Sequence, residues 1–414
     1  MTKKDAKPIT ADQSNQSPFH GYKILDFTQV ISGPLAVQLL ANSGAQVIKV
    51  ESRTGDQMRK LFKTPGQARD DDSPSFVAAN RGKRSLCIDL KTAAGVAAIK
   101  RLASQCDVLV ENFRPGVAKR LGLDYDTIRG LRKDIVYCSV SGFGQNGPLA
   151  PQSAYDGGIQ AVSGMMSTTG HPQSGPVRTG YLAVDVPTAL HTAFAITSAL
   201  LRRERTGLGQ RVDVAMMDTA LLMQISATTK FLYDGTPTVL AGNSSPAHSP
   251  LANTFQTKNG YLATSAVTAK HGRAALTALG LSPGDWDSYV DNPPGSEPVK
   301  RIDAAVQKAM ASEATEYWEP RLRATGMSVE NVNTIEQALG VARRQSRPII
   351  DWQDDETAVA SHPGYLGATY LANVDGPQTG GRAPAIGEHT VDVLAEFGFD
   401  KHDIDQLRDA GAID

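Results

Sequence analysis

From Gly21 onward, short apolar runs trade places with longer stretches in which apolar positions recur every three or four residues. YKILDF, AQVIKVE, RSLCIDL, DVLVEN and DIVYCSVSG read as strands, being brief and rich in β-branched and aromatic residues. Helical spacing appears at PLAVQLLANS, with Pro34 in the first turn, over residues 92–104, and at Tyr125–Leu131. Strand and helix alternating at this interval predict a mostly parallel sheet flanked by helices.

A long Ala- and Leu-rich helix is expected to start at Asp185, followed by the loop RTGLGQ, a strand RVDVAMMD and a further apolar helix from Thr219. Composition then shifts to Gly, Pro, Ser and Asn, as in a linker. A fresh pattern opens at NTFQTKNGYLATSAV, where Asn259-Gly260 suits a hairpin turn. GEHTVDVLAEFGF reads as a closing helix that returns to the first domain. The resulting division is a disordered tail over 1–20, a large domain over 21–232 and a linker over 233–250. A smaller α+β domain over 251–330, a second linker over 331–360 and a C-terminal return over 361–414 complete it.

At 414 residues the chain exceeds one simple core, which agrees with two domains. Charged residues make up 21% and the formal net charge is -1, so no global field favours nucleic acid or an anionic membrane. A polyanionic ligand must therefore be met by a local basic cluster. Cys87, Cys106 and Cys138 are widely spaced in apolar runs, which fits a reducing cytoplasm better than a disulfide framework. No run approaches the ~18 apolar residues of a membrane span, and the polar start lacks a signal-peptide core.

Gly142-Phe143-Gly144-Gln145-Asn146-Gly147 matches G-x-G-x-x-G after a strand, yet Pro148 and Pro151 follow where a dinucleotide site needs a helix N-terminus. The dinucleotide reading is rejected, and the glycines are left as a tight turn or a close backbone approach. No metal-ligand spacing and no serine-hydrolase elbow occurs. Asp185 precedes Val186-Pro187 at a helix start and has an ordinary reading as an N-cap. The basic residues near Arg53, Lys83, Lys91, Arg114 and Arg120 have an ordinary reading as solvated surface.

Taken in order, several segments resemble the class III CoA-transferases. They are LDFTQVISGPLAVQLLANSGAQVIKVE, NRGKRSLCIDLK, VENFRPGVAKRLGLDYD, YCSVSGFGQNGP, SAYDGGIQAVSGMMSTTG, RTGYLAVD, RRERTGLGQRVDVAMMD and GRAPAIGEHT. That family includes formyl-CoA and carnitine CoA-transferases and is related to the α-methylacyl-CoA racemases. The resemblance implies a large Rossmann-like α/β domain built from both chain ends, a smaller domain, and an interlocked homodimer. It places the catalytic carboxylate at Asp185. It also implies CoA contacts from Val30, Ile31, Ser32, Arg53, Ile88, Lys91, Asn112, Phe113, Arg114 and Arg120. Gly142, Gly144, Gln145, Tyr155 and Asp156 belong to the expected active-site loop.

The expected partners are therefore an acyl-CoA, a carboxylic acid and a second copy of the chain, with no metal, nucleic acid or membrane. Arg and Lys suit the CoA phosphates, and Ile88 and Phe113 suit a flat adenine. The expected chemistry runs through an aspartyl-CoA thioester and mixed anhydrides. The linker AGNSSPAHSPL lacks the four-glycine run of formyl-CoA transferase, which turns the substrate expectation towards a small organic acid such as succinate. A racemase is the competing reading, but Tyr155 stands where that chemistry uses a histidine, and a phenol with pKa near 10 is a poor base. A non-catalytic CoA-binding protein is the other alternative.

Overall fold

The computed structural model describes residues 17–61, 73–245, 247–266, 268–345, 350–351, 364–367, 370–378 and 381–414. The chain forms two compact units. One comprises Met1–Met165, Arg178–Pro237 and Arg347–Asp414; the other comprises Met166–Val177 and Thr238–Ser346.

The first unit is built on six parallel strands: β1 (Lys23–Asp26), β2 (Gln46–Glu51), β3 (Arg84–Cys87), β4 (Val108–Glu111), β5 (Val136–Ser141) and β6 (Gln210–Ala215). They lie in the order β3-β2-β1-β4-β5-β6, so the direction of winding reverses between β1 and β4. Successive residues of a strand face opposite sides of a sheet, and both sides here are apolar. Leu25, Ile48, Leu109 and Tyr137 meet Ile99, Leu102, Val393, Leu394 and Phe397 on one face. Ile24, Val47, Val108 and Val136 meet Val37, Leu40, Ile196 and Leu200 on the other. Each such side chain contributes about 1.5–3 kcal/mol on burial.

Capping and charge fix the helices. Thr92 accepts the Gly95 N–H at 3.0 Å to open Ala93–Ala103, whose last turn carries Lys100 and Arg101 against the carbonyl end. Thr390–Glu396 is tied to β3 across some 300 residues: Cys87 N–H donates to Thr390 Oγ1 at 3.0 Å and His389 N–H to the Ser85 carbonyl at 3.0 Å.

The second unit pairs Asn253–Gln256 and Ser328–Asn331 antiparallel on either side of Tyr261–Ser265. Its core gathers Leu262, Trp286, Ile302, Val306, Trp318 and Leu322. Among the described residues no helix is long and apolar enough to cross a membrane.

Several boundaries differ from the sequence reading. Most of the expected tail lies outside the described residues, but Ser17–Gly21 form a turn whose Phe19 N–H donates to the Ser43 carbonyl at 3.0 Å. The strand after RTGLGQ ends at Ala215, and Met217 already turns into a helix with its N–H on the Gly142 carbonyl. Residues 166–177 group with the second unit: Gly170–His171 and Gly175–Pro176 form a small antiparallel ladder, and Gly242 N–H donates to the Gly170 carbonyl at 2.9 Å. Part of the expected 331–360 linker is the helix Ile335–Arg344, opened by a reciprocal Thr334–Gln337 capping box; other parts lie outside the described residues. The 253–265 hairpin forms, but Asn259 is not left-handed. Its carboxamide instead takes the Thr315 N–H at 2.9 Å and donates to Glu316.

Candidate active site

In open α/β sheets the ligand crevice lies beyond the carboxyl ends of the strands, where the winding reverses. A cavity of about 250 Å³ occupies that position. The loop after β1 supplies Gln29, Val30 and Ser32, the loop after β4 supplies Asn112, Phe113 and Arg114, and the end of β5 supplies Ser141 and Gly142. Tyr155, Asp185 and Met216 close the wall.

The β1 loop is held rigid by groups buried beneath it. Lys83, wholly buried, donates to Asp26 at 2.9 Å and to the Pro34 carbonyl and Asn80 Oδ1. Burial pushes the Lys83 ammonium down to about 8, with Asp26 pulling the other way. For Asp26 the burial that would raise its carboxyl is outweighed by Lys83, Lys49 and Thr28, which hold it below its ordinary value. Lys49, equally buried, donates to Asp56 at 2.9 Å and to the Thr28 carbonyl. Asn112 and Gln29 clasp each other, Gln29 N–H donating to Asn112 Oδ1 at 2.9 Å and Asn112 Nδ2 to the Gln29 carbonyl at 2.7 Å. Gly33 lets the following helix approach, since a Cβ there would lie 2.4 Å from that of Thr28.

Asp185 is the first residue of the helix Asp185–Thr206, and its side chain does not cap that helix. Asp156 does. Its Oδ2 accepts the Val184 N–H at 2.8 Å and the Asp185 N–H at 3.0 Å, while Oδ1 takes Gln160 Nε2 at 2.5 Å. The carboxylate of Asp185 is thus left to face the cavity. Burial, then the Asp156 charge, push its carboxyl up to about 6, against a hydrogen bond from the Ser32 hydroxyl. At pH 7 such a group is roughly nine-tenths ionised. A poorly hydrated carboxylate at the wall of a cavity is equipped to attack an activated carbonyl.

Of the residues singled out from the sequence, Val30, Ser32, Asn112, Phe113, Arg114, Gly142, Tyr155 and Asp185 line one cavity. The others do not. Ile88, just after β3, is 1% exposed in the main core. Ile31 is turned into the cluster of Met58, Phe76 and Ala383. Lys91 and Arg120 share a separate groove with Lys100. Arg53 lies at a further hollow and pairs with Asp414 at 2.8 Å and the Gly411 carbonyl at 3.0 Å. Gly144 and Gln145 are directed to β6, with Gln145 N–H on Asp213 at 2.9 Å, and Asp156 lies behind the wall as the cap. The G-x-G-x-x-G segment is followed by loop, and the next helix begins only at Asp156.

Sequence reading missed Gln29, Gln57, Ser141 and Met216 in the lining. It also missed the buried pairs Lys83–Asp26 and Lys49–Asp56, although a Lys inside VIKVE and an Asp inside YKILDF are charges in strands with two apolar faces. Among the described residues no group of His, Cys, Asp and Glu converges as a metal site.

A family model described as CoA-transferase family III matches residues 19–390. The succinate–glutarate CoA-transferase of Agrobacterium fabrum is 32% identical over 94% of this chain and 98% of its own. The formyl-CoA:oxalate CoA-transferase of Streptomyces avermitilis is 44% identical over 49% of this chain and 48% of its own. Among solved structures, a CaiB/BaiF family protein from Brucella suis superposes with a TM-score of 0.79 at 28% identity, over 92% of this chain and 99% of that one.

Proposed function

The chain belongs to CoA-transferase family III and is an acyl-CoA:carboxylate CoA-transferase; on that premise we propose that Asp185 is its covalent nucleophile and that its acids are small dicarboxylates. The observation that carries the first part is the division of labour between two aspartates. Asp156 satisfies the helix start, and Asp185 is left buried, raised and facing the cavity. The second part is supported by relatives named for succinate, glutarate and oxalate, each an acid with two carboxylates.

An Asp185 oxygen attacks the carbonyl carbon of the donor thioester. The C–S bond breaks, leaving a mixed anhydride and CoA thiolate. The thiolate attacks the Asp185 carbonyl carbon, the donor acid departs as its carboxylate, and an aspartyl-CoA thioester remains. The acceptor carboxylate attacks that thioester and expels the thiolate, forming a second anhydride. The thiolate then takes the acceptor acyl group, and Asp185 returns as a carboxylate. Splitting one difficult exchange into four acyl transfers is what a covalent nucleophile contributes.

Lys91, Lys100 and Arg120, gathered in one groove, supply the local cations that CoA phosphates require in a chain of net charge -1. Engagement of Arg53 by the same ligand requires its bond to Asp414 to open. A homodimer is supported by apolar side chains left in water on the Asp185 helix and the segment Ile225–Asp234. Phe194 is 70%, Leu232 84% and Tyr233 91% exposed, more than a monomer of this size needs to show. We take the second copy to be interlocked with the first, as in the family it resembles. The three buried free thiols suit a reducing cytoplasm.

The test is mass spectrometry after mixing the protein with succinyl-CoA alone. CoA should be attached to the peptide bearing Asp185, and Asp185→Asn should bind acyl-CoA without forming the adduct or transferring CoA. Turnover by that variant near the wild-type rate refutes the assignment.

A further inference from the structure

Val30 has φ 72, and among the described residues only it and Asp375 depart from negative φ without being glycine. For a β-branched residue this is a true backbone outlier, whereas glycine sits there without strain. Strained residues persist where their surroundings over-determine them, and such positions cluster at working sites. The surroundings are visible. The Val30 N–H donates to Asp56 Oδ1 at 3.2 Å, and Asp56 is itself fixed by wholly buried Lys49. The preceding residue, Gln29, is clasped by Asn112.

What glycine would not supply is the isopropyl group. That group packs against the apolar cluster of Ile31, Met58 and Phe76, and Val30 lines the same cavity as Ser32 and Asp185. We propose that Val30 is a specificity-determining residue that holds an apolar wall beside the reacting carboxylate, so that the acyl bond formed there meets an acid and not water. The proposal rests on the reading of Asp185 as the nucleophile. The competing reaction is hydrolysis. A water oxygen bonds to the Asp185 carbonyl carbon and the C–S bond breaks. CoA leaves as the thiol with one water proton, the other proton passes to solvent, and the Asp185 carboxylate is restored. Exclusion of water protects such intermediates.

The experiment uses the whole protein as Val30→Gly and Val30→Ala, with Asp185→Asn beside them. Succinyl-CoA is added without acceptor, free thiol is followed by Ellman's reagent, and the lifetime of the CoA adduct by quenched mass spectrometry. Thiol release relative to transfer with glutarate should rise roughly tenfold in Val30→Gly, the lower range that one missing apolar group costs a site in discrimination, with Val30→Ala in between. The adduct should form and be lost faster, whereas mere damage to the fold would reduce its formation. Wild-type adduct lifetimes in both valine variants overturn the role of Val30 while leaving Asp185 in place. An adduct that persists on another residue in Asp185→Asn removes Asp185 as the nucleophile and, with it, the wall assigned to Val30.

Discussion

Asp185→Asn is expected to stabilise the protein while abolishing its activity, and the gain should depend on pH. The folded carboxyl stands at about 6 against an ordinary 3.8, chiefly because burial and Asp156 oppose its ionisation. Each pKa unit corresponds to 1.36 kcal/mol, so the ionised group costs the folded state roughly 3 kcal/mol at pH 7. A carboxyl raised on folding leaves the fold most stable in acid, and that stability is lost as pH rises from 3.8 through 6. Asparagine removes the charge and keeps an oxygen to accept the Ser32 hydroxyl. For a chain of this length, roughly 3 kcal/mol corresponds to a thermal midpoint about 3 °C higher. Differential scanning fluorimetry of both proteins at pH 7.5 and pH 4.5 provides the assay, with the full difference at the first and about a third of it at the second. In the wild type kcat/KM should fall below pH 6, as protonated Asp185 cannot attack. A variant less stable than wild type at pH 7.5, or a gain that persists undiminished in acid, would refute the reasoning.

Lys83→Met should leave Asp26 buried without its principal cation and cost about 3–5 kcal/mol, read by urea denaturation; adding Asp26→Asn should recover part of it. The double substitution Lys91→Ala with Arg120→Ala should raise KM for acyl-CoA roughly 10- to 100-fold with kcat little changed, from the loss of charge-assisted hydrogen bonds. Initial rates across ionic strength check this, since the salt dependence of KM should flatten together with the affinity.

Most strands of the large sheet were legible as short, largely apolar runs, Gln210–Ala215 instead by its alternation, and Tyr125–Leu131 was legible to the residue. What periodicity does not contain is the partner of each polar group. Asp185 and Asp156 both stand at helix starts, and only folding reveals that the second caps the first across 29 residues. Arg53 looked like a free cation, yet its partner Asp414 lies 361 positions away. Ile88 follows β3 and keeps its alternation, which buries the side chain in the main core. The left-handed turn at Val30 left no mark in the sequence at all, since glycine or asparagine is the usual signal for it.

One face of the large sheet is roofed by Val393, Leu394, Phe397, Ile404 and Leu407, which lie some 300 positions after the strands they cover. At ribosomal speeds of ~5–20 residues per second, those strands emerge ~15–60 s before their roof exists. During synthesis the early strands carry an apolar surface that is only partly covered, so emergence of this late segment, rather than formation of the early strands, sets the moment at which that face can close.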